Sequence, residues 1–269
     1  MTRTAATPAL TGPEFARVCA LLYRIAGIKL VPGKEGLVQA RLARRLHALD
    51  LDHFGAYFDL VERDGSQAEL TQMVDLLTTN KTSFFREAYH FDFLRDRVLP
   101  GLAGRPARIW SAGCSTGEEP YSLGMLCRDT LGARADVRIL ATDISTRVLA
   151  TAKAATYPAE SLGDVPDDVR RRHFAPAADG RGVRVADAVR EMVSFARLNL
   201  MGDWPMRGPF DAILCRNVMI YFDKPTQERL VNRFYELLPP GGHLFVGHSE
   251  SLTSLDHGFA YVQPAVYVK

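Results

Sequence analysis

The sequence predicts an all-helical N-terminal domain followed by an α/β domain with a mostly parallel, doubly wound sheet and a small antiparallel insertion. Three observations predict it. Between residues 11 and 79 apolar residues recur at three and four positions, with no strand-like alternation. From Arg108 onward, short apolar runs alternate with helical stretches, the pattern of strand–helix–strand units covered on both faces. The stretch 157–196 breaks that rhythm. The expected boundaries are therefore a helical domain at 1–79, a linker helix region at 80–106, and an α/β domain at 107–269 with an antiparallel insertion at about 157–196.

Each element has its own signal. Thr11-Gly-Pro-Glu14 is a capped helix start with Pro13 near the first turn, and Gly33-Lys34-Glu35 opens a second helix with Leu42, Leu46 and Leu49 as its apolar stripe. Arg41, Arg44 and Arg45 share a neighbouring face, because residues three and four apart stack on a helix. Residues 107–112 form an apolar run ending in a glycine turn, 118–130 a helix, 137–142 a buried strand ending at Asp143, and 145–153 another helix. Residues 210–215 read as a buried strand. Residues 225–238 are an amphipathic helix stopped by Pro239-Pro240-Gly241-Gly242, and 244–247 and 261–268 supply the last strands. In the insertion, Asp179-Gly180 followed by short runs at 183–185 and 192–195 predicts a hairpin unit.

Composition excludes several classes. Of 269 residues 47% are apolar and 24% charged, which rules out a disordered chain, a collagen or a disulfide mini-protein. A net charge of +2, from 33 basic and 31 acidic residues, gives no basis for a globally cationic nucleic-acid binder. The longest apolar run, 18–23, is far short of the ~20 residues a membrane-spanning helix needs. The first ten residues lack an apolar stretch of signal-peptide length. The four cysteines and seven histidines show no metal-ligand spacing, so no metal is expected. Cys114 and Cys215 suit small buried packing positions. A monomer in the reducing cytoplasm, without nucleic-acid partner or membrane insertion, fits best.

Charge splits along the helical region. Six bases and one acid lie between residues 24 and 45, and seven acids and one base between 50 and 75. Two solvated helix faces, or a basic docking stripe for an acidic partner, account for this equally.

The strongest local motif is Trp110-Ser-Ala-Gly-Cys-Ser-Thr-Gly-Glu-Glu-Pro-Tyr-Ser122, a strand, a glycine turn and a helix start. It lacks the phosphate-cradling Gly-x-Gly-x-x-Gly and any Gly-Lys-Ser/Thr. Glu118 and Glu119 would repel a pyrophosphate and suit a cationic or hydrogen-bond-donating ligand. A plain alternative for Glu118 is complementarity to the helix dipole. Asp143, at the end of the next strand, is placed to accept both hydroxyls of a ribose. Together these features suggest S-adenosylmethionine, which carries an ammonium and a sulfonium but no phosphate.

Five blocks in order carry a family resemblance: Leu77-Thr-Thr-Asn-Lys-Thr-Ser-Phe-Phe-Arg-Glu87, the glycine-loop block above, Ala141-Thr-Asp-Ile-Ser145, Cys215-Arg-Asn-Val-Met-Ile-Tyr-Phe-Asp223 and Gly247-His-Ser-Glu-Ser251. Over nearly the whole chain the sequence resembles the CheR family of chemotaxis receptor protein-glutamate O-methyltransferases. The resemblance implies a Rossmann-like S-adenosylmethionine-dependent methyltransferase domain with a small β-subdomain, behind an all-helical domain. It implies methyl transfer to glutamate carboxylates on the cytoplasmic helices of chemoreceptors, for sensory adaptation, with S-adenosylhomocysteine as product. Carried over, the cofactor contacts are Asn80, Thr82, Arg86, Glu119, Asp143 on the ribose, Asn199 and Leu200 near the adenine, and Arg216 and Asn217. Phe84 and Phe85 serve equally well as core packing. The family's second helix touches the acidic methylation region of receptors, which adds weight to Arg41, Arg44 and Arg45 as partner-binding residues. Segment 175–182 looks shorter than in members that capture a receptor's C-terminal pentapeptide, which leaves open whether this chain uses such a tether.

The reaction is an in-line displacement by a carboxylate oxygen on the methyl carbon of a sulfonium. A glutamate of pKa ~4.3 is already ionised, so no general base is needed. Opposite charges annihilate in the transition state, so the site should exclude water and aim the reactants. Arg86 and Tyr221 are the expected aiming residues, Arg86 gripping either the cofactor's carboxylate or the substrate's. Arg216-Asn217-Val218-Met219 stands where amino-directed enzymes carry Asp/Asn-Pro-Pro-Tyr/Phe, and its donors suit an acceptor-only substrate. The competing readings are a methyltransferase for RNA or a small molecule, a catalytically inactive cofactor-binding signalling scaffold, and a nicotinamide enzyme.

Overall fold

The computed structural model describes residues 8–63, 67–178 and 180–269. The N-terminal segment read for a signal peptide lies largely outside them, at residues 1–7, and so does Asp179 of the Asp179-Gly180 turn. The chain folds as two compact units. One runs to Thr79 and takes in Tyr221–Asp223; the other comprises Asn80–Ile220 and Lys224–Lys269.

The first unit is helical: α1 (Gly12–Ala26), α2 (Glu35–Ala48), α3 (Phe54–Arg63) and α4 (Gln67–Leu77). Thr11 caps α1 in a reciprocal capping box with Glu14, satisfying two backbone donors that the first turn leaves orphaned. Glu14 also accepts from Gly55 N–H at 2.6 Å, joining α1 to the start of α3. The core is apolar, with Val18, Leu22, Leu42, Phe54, Tyr57, Phe58 and Met73 fully buried. In α2 the buried stripe is Val38, Leu42 and Leu46; Leu49 stands one step beyond the helix as its C-cap. Arg17 bridges Asp59 at 2.7 Å and also pairs with Glu62.

The second unit is α/β. After α5 (Ala88–Phe93) the chain continues through a π turn (Leu94–Val98) and a 3₁₀ turn (Leu99–Leu102) into β1 (Ala107–Ala112). There follow α6 (Glu118–Leu131), β2 (Val137–Asp143), α7 (Thr146–Ala154), β3 (Thr156–Tyr157), α8 (Asp167–His173), β4 (Phe174–Pro176), β5 (Val183–Val185), α9 (Asp187–Arg190) and β6 (Val193–Arg197). The chain closes with β7 (Ala212–Cys215), α10 (Lys224–Leu237), β8 (His243–Val246), β9 (Ala260–Gln263) and β10 (Val266–Val268).

Seven strands form one sheet in the order β6-β2-β1-β7-β8-β10-β9. The first five strands are parallel; β10 is antiparallel to β8 and β9, so the 261–268 tail folds back on itself. Ile109, Leu123, Val137, Ile139, Leu214 and Phe245 fill its core. The three-stranded antiparallel sheet β3-β5-β4 is the predicted insertion. One part of that expectation is corrected: the run at 192–195 is not in the small sheet. It falls in β6, which pairs parallel with β2 at the edge of the large sheet (Ile139↔Val193). Among the described residues no helix is long and apolar enough to cross a membrane.

Strand order decides where a ligand can sit. From β1 the chain builds outward to β2 and β6, then crosses back to place β7 on the other side of β1. At such a switch point the loops leaving neighbouring strands diverge and open a crevice at their carboxyl ends.

Candidate functional site

Four motif blocks meet at those carboxyl ends. Gly113 turns the chain out of β1 at φ +85°, and a Cβ there would lie 2.4 Å from Val218 Cγ2, so glycine is required both by conformation and by space. Beyond it Ser115 N–H donates to Asp143 Oδ2 at 2.9 Å, while Ser145 N–H donates to Oδ1 at 2.9 Å. The two bonds fix the plane of a carboxylate that is only 8% exposed. The loop is braced further by Ser115 Oγ, which donates to Asn80 O at 3.0 Å, and by Tyr157 OH, which donates to Thr116 O at 2.7 Å.

The acids after the loop have different surroundings. Glu119 accepts from Ser111 Oγ at 2.7 Å and from Arg216 Nη1 at 3.0 Å. Arg216 is itself enclosed, pairing with Glu87 Oε2 at 3.1 Å and donating to the Arg86 carbonyl. A buried guanidinium is stable there because two carboxylates and a carbonyl replace its water. Burial raises the Glu119 pKa against the pull of Arg216. For Glu87 burial also raises, but Arg216, Asn217 and the His248 N–H together outweigh it, and its pKa is lowered. Glu118 differs: Thr116 Oγ1 donates to its Oε2 at 2.7 Å, and among the described residues it forms no ion pair. Burial consequently raises its pKa. Behind Glu87 lies His90, fully buried, with Nδ1 3.5 Å from Glu87 Oε2.

The loops after β7 and β8 are held together by a second carboxylate. Glu250 accepts from Asn217 N–H at 2.9 Å and Ile220 N–H at 3.0 Å, and also from Gly247 N–H. These bonds keep Asn217 in the left-handed region, at φ 59°. A Cβ on Gly247 would lie 2.4 Å from Asn217 Nδ2, so this approach also requires glycine.

The residues singled out from sequence are distributed unequally. Asn80, Arg86, Glu119, Asp143, Arg216 and Asn217 belong to this connected set. Arg86 is half-buried and its Nη1 donates to Lys81 O at 2.8 Å; Thr82, also half-buried, lies on the same segment. Asn199 and Leu200 follow the carboxyl end of β6. Tyr221 groups with the helical unit, where its carbonyl accepts from Lys29 N–H at 2.8 Å. Arg41 donates to the carbonyls of Leu77 at 2.8 Å and Thr78 at 3.1 Å, and Arg45 grips Glu69 through two nitrogens. Arg44 is the exposed member of the three. Phe84 is core, packed edge-on against Tyr157 at 5.0 Å and Phe174 at 5.2 Å. Cys114, Cys127 and Cys215 are buried free thiols, and Cys19 is partly exposed. Sequence reasoning did not single out Glu87 and Glu250, although both lie inside the motif blocks. Their partners are backbone N–H groups and a distant arginine, which no local spacing encodes.

These donors and acceptors fit a ligand bearing a cation and vicinal hydroxyls. Two acids, Glu118 and Asp143, follow β1 and β2, and Glu118 forms no ion pair among the described residues. Phosphate would meet carboxylates here instead of the basic side chains and free helix N–H groups it needs.

The architecture and the acid-lined crevice define a class: an S-adenosylmethionine-binding methyltransferase domain behind an all-helical domain. Comparison with known proteins agrees. Residues 80–268 match the family described as CheR methyltransferase, SAM binding domain, and residues 13–78 match CheR methyltransferase, all-alpha domain. The chain is 44% identical over 262 residues to chemotaxis protein methyltransferase 2 of Pseudomonas aeruginosa, covering 96% of this chain and 93% of that one. It is 43% identical over 263 residues to the chemotaxis protein methyltransferase of Escherichia coli, covering 96% and 91%. To that of Borreliella burgdorferi it is 36% identical over 271 residues, covering 97% and 95%. The chain belongs to the CheR methyltransferase family.

Proposed function

We propose that the protein methylates glutamate side chains on the cytoplasmic helices of chemoreceptors, giving glutamate methyl esters and S-adenosylhomocysteine in chemotactic adaptation. It works as a cytoplasmic monomer on this reading. The observation that carries the reading is the pair of carboxylates at the switch point, Glu118 with no ion pair among the described residues and Asp143 fixed by two backbone donors.

When bound, the cofactor supplies an electrophilic methyl group on a sulfonium. The chain's residues bind and orient. Asp143 accepts the ribose hydroxyls, its carboxylate plane set by Ser115 and Ser145. Glu119 keeps its expected place as a cofactor contact: the bonds from Ser111 and Arg216 orient its carboxylate, as Ser115 and Ser145 orient that of Asp143, and leave each oxygen a further lone pair. It forms the floor of the site, and Glu118 takes the ammonium, whose arrival lowers the carboxyl pKa that burial has raised. Asn80 and Thr82 line the same side, Asn199 and Leu200 the adenine side. Arg216 holds Glu87 and Glu119 in place, and Asn217 presents its side chain from a backbone locked by Glu250. Arg86 and Tyr221 aim the substrate carboxylate, which is ionised without help from a base. Exposed Arg44, beside Arg41 and Arg45, meets the acidic region of the receptor.

The test is methyl transfer from radiolabelled cofactor to a receptor fragment, with base-labile release of the label as methanol. Base-stable label, or label appearing in RNA in preference to receptor, would overturn the reading. So would an Asp143→Ala variant that binds the cofactor as the parent does.

A further inference from the structure

Between β6 and β7 the chain makes a compact turn over residues 199–204. Asn199 nucleates it: its Oδ1 accepts from Met201 N–H at 3.0 Å and its carbonyl from Gly202 N–H at 3.0 Å. A turn of this length has few backbone bonds of its own, so its conformation depends on what it packs against. Here the support comes from one side chain on α10. Arg233 Nη1 donates to Leu200 O at 2.9 Å, and Nη2 donates to Gly202 O at 2.9 Å. The guanidinium carbon lies 3.7 Å from the centroid of the Trp204 ring. The next residue, Phe234, stacks on Trp204 at 5.4 Å with an interplanar angle of 27°. Trp110 of β1 closes on the indole edge-on at 4.9 Å.

From this geometry we infer that Arg233 is a positioning residue for cofactor binding: it holds the 199–202 turn in the shape that presents Asn199 and Leu200 to the nucleoside half of the cofactor. The inference rests on the reading that this turn lines the adenine side. Arginine suits the task for a reason of shape. Its planar fork bonds two carbonyls at once while its face remains free to lie on an aromatic ring. Lysine keeps the charge over Trp204 but has no fork. The expected consequence of losing the fork is a turn that samples other conformations, and affinity falls by the fraction of time the competent one is lost.

The experiment uses the full chain and the variants Arg233→Lys, Arg233→Met, Asn199→Ala and the double variant Arg233→Lys/Asn199→Ala. Calorimetry with S-adenosylhomocysteine and with 5′-methylthioadenosine, which has no amino-acid part, reads affinity. Tryptophan fluorescence on heating reads the fold. If the competent turn falls to about a tenth of the population, Arg233→Lys weakens both ligands about tenfold. It also raises the KM for the methyl donor more than it lowers kcat, with the melting transition retained. The double variant then loses less affinity than the two single losses summed, because both changes disturb the same turn. Arg233→Met loses at least as much affinity as Arg233→Lys. Parent-like binding by both Arg233 variants, or losses that add in the double variant, would overturn the inference while leaving the adenine-side assignment intact. Parent-like binding by Asn199→Ala would remove that assignment itself, and the inference with it.

Discussion

His90 offers a quantitative test of how the floor of the site is built. Its ring is fully buried, 4.2 Å from that of Tyr89 and 5.6 Å from that of Phe245. Among the described residues neither ring nitrogen has a hydrogen-bond partner, although Glu87 Oε2 lies 3.5 Å from Nδ1. Burial, and after it the charge of Arg216, lowers its pKa from 6.5 to about 3, against a smaller upward pull from Glu87; His248 adds to the lowering. The sign follows directly. Below 6.5 the unfolded chain takes up a proton that the folded ring refuses, so stability is lost as pH falls from 6.5 towards the folded value. Between about pH 7 and about pH 5 the loss from this one group is about 2 kcal/mol. His90→Phe removes the proton site and keeps an aromatic ring between the same neighbours. Any repacking cost it carries is the same at both pH values and cancels from the difference. Urea unfolding of both proteins, followed by the fluorescence of Trp110 and Trp204 in this unit, checks the expectation. The parent should lose about 2 kcal/mol more than the variant on acidification. Parallel pH profiles would show that His90 is protonated in the folded protein, and the account of its surroundings would be wrong.

Three further outcomes are expected. Arg86→Ala should slow methyl transfer by more than ~100-fold with the fold retained, since alignment is the main source of rate here; near-normal turnover would remove Arg86 from the aiming role. Glu250→Ala leaves three backbone donors of Gly247, Asn217 and Ile220 without their acceptor. At about 1–3 kcal/mol for a buried donor left unpaired, which applies to Gly247 N–H and only in part to the half-buried bonds of Asn217 and Ile220, it should lower the melting temperature clearly, and Glu250→Gln should restore part of the loss. Arg44→Glu should weaken receptor methylation and flatten its salt dependence without changing stability. Arg45→Glu, placed against Glu69, should destabilise the helical unit instead; equal stability of the two variants in a thermal melt would contradict this division.

The elements were legible where the signal is local. The cap at Thr11, the strand ending at Asp143 and the helix stopped before Pro239 follow from residues within a turn of one another, and the structure places them within a residue or two. Pairing was less legible. The apolar run at 192–195 is compatible with a hairpin or with the edge of a larger sheet, and only its non-local partner β2 decides between them. The same limit applies to charge. Arg41, Arg44 and Arg45 form one stripe on a helical projection, but the carbonyls after α4 engage Arg41 and a glutamate 24 residues away engages Arg45. The candidate site shows both cases. Asp143 was visible as a strand-end acid, whereas Glu87 and Glu250 act on backbone N–H groups of other loops, an interaction that leaves no spacing behind.

The distribution of thiols has a practical consequence. Burial raises the pKa of Cys114, Cys127 and Cys215, so each is both shielded and protonated in the native state. Alkylating reagents attack thiolates, and these three sulfurs should react only when the structure around them opens. Cys114 lies in the turn after β1, whereas Cys127 and Cys215 sit within α6 and β7. Labelling of Cys114 ahead of the other two would therefore time the local breathing of the turn after β1, and simultaneous labelling would time global unfolding.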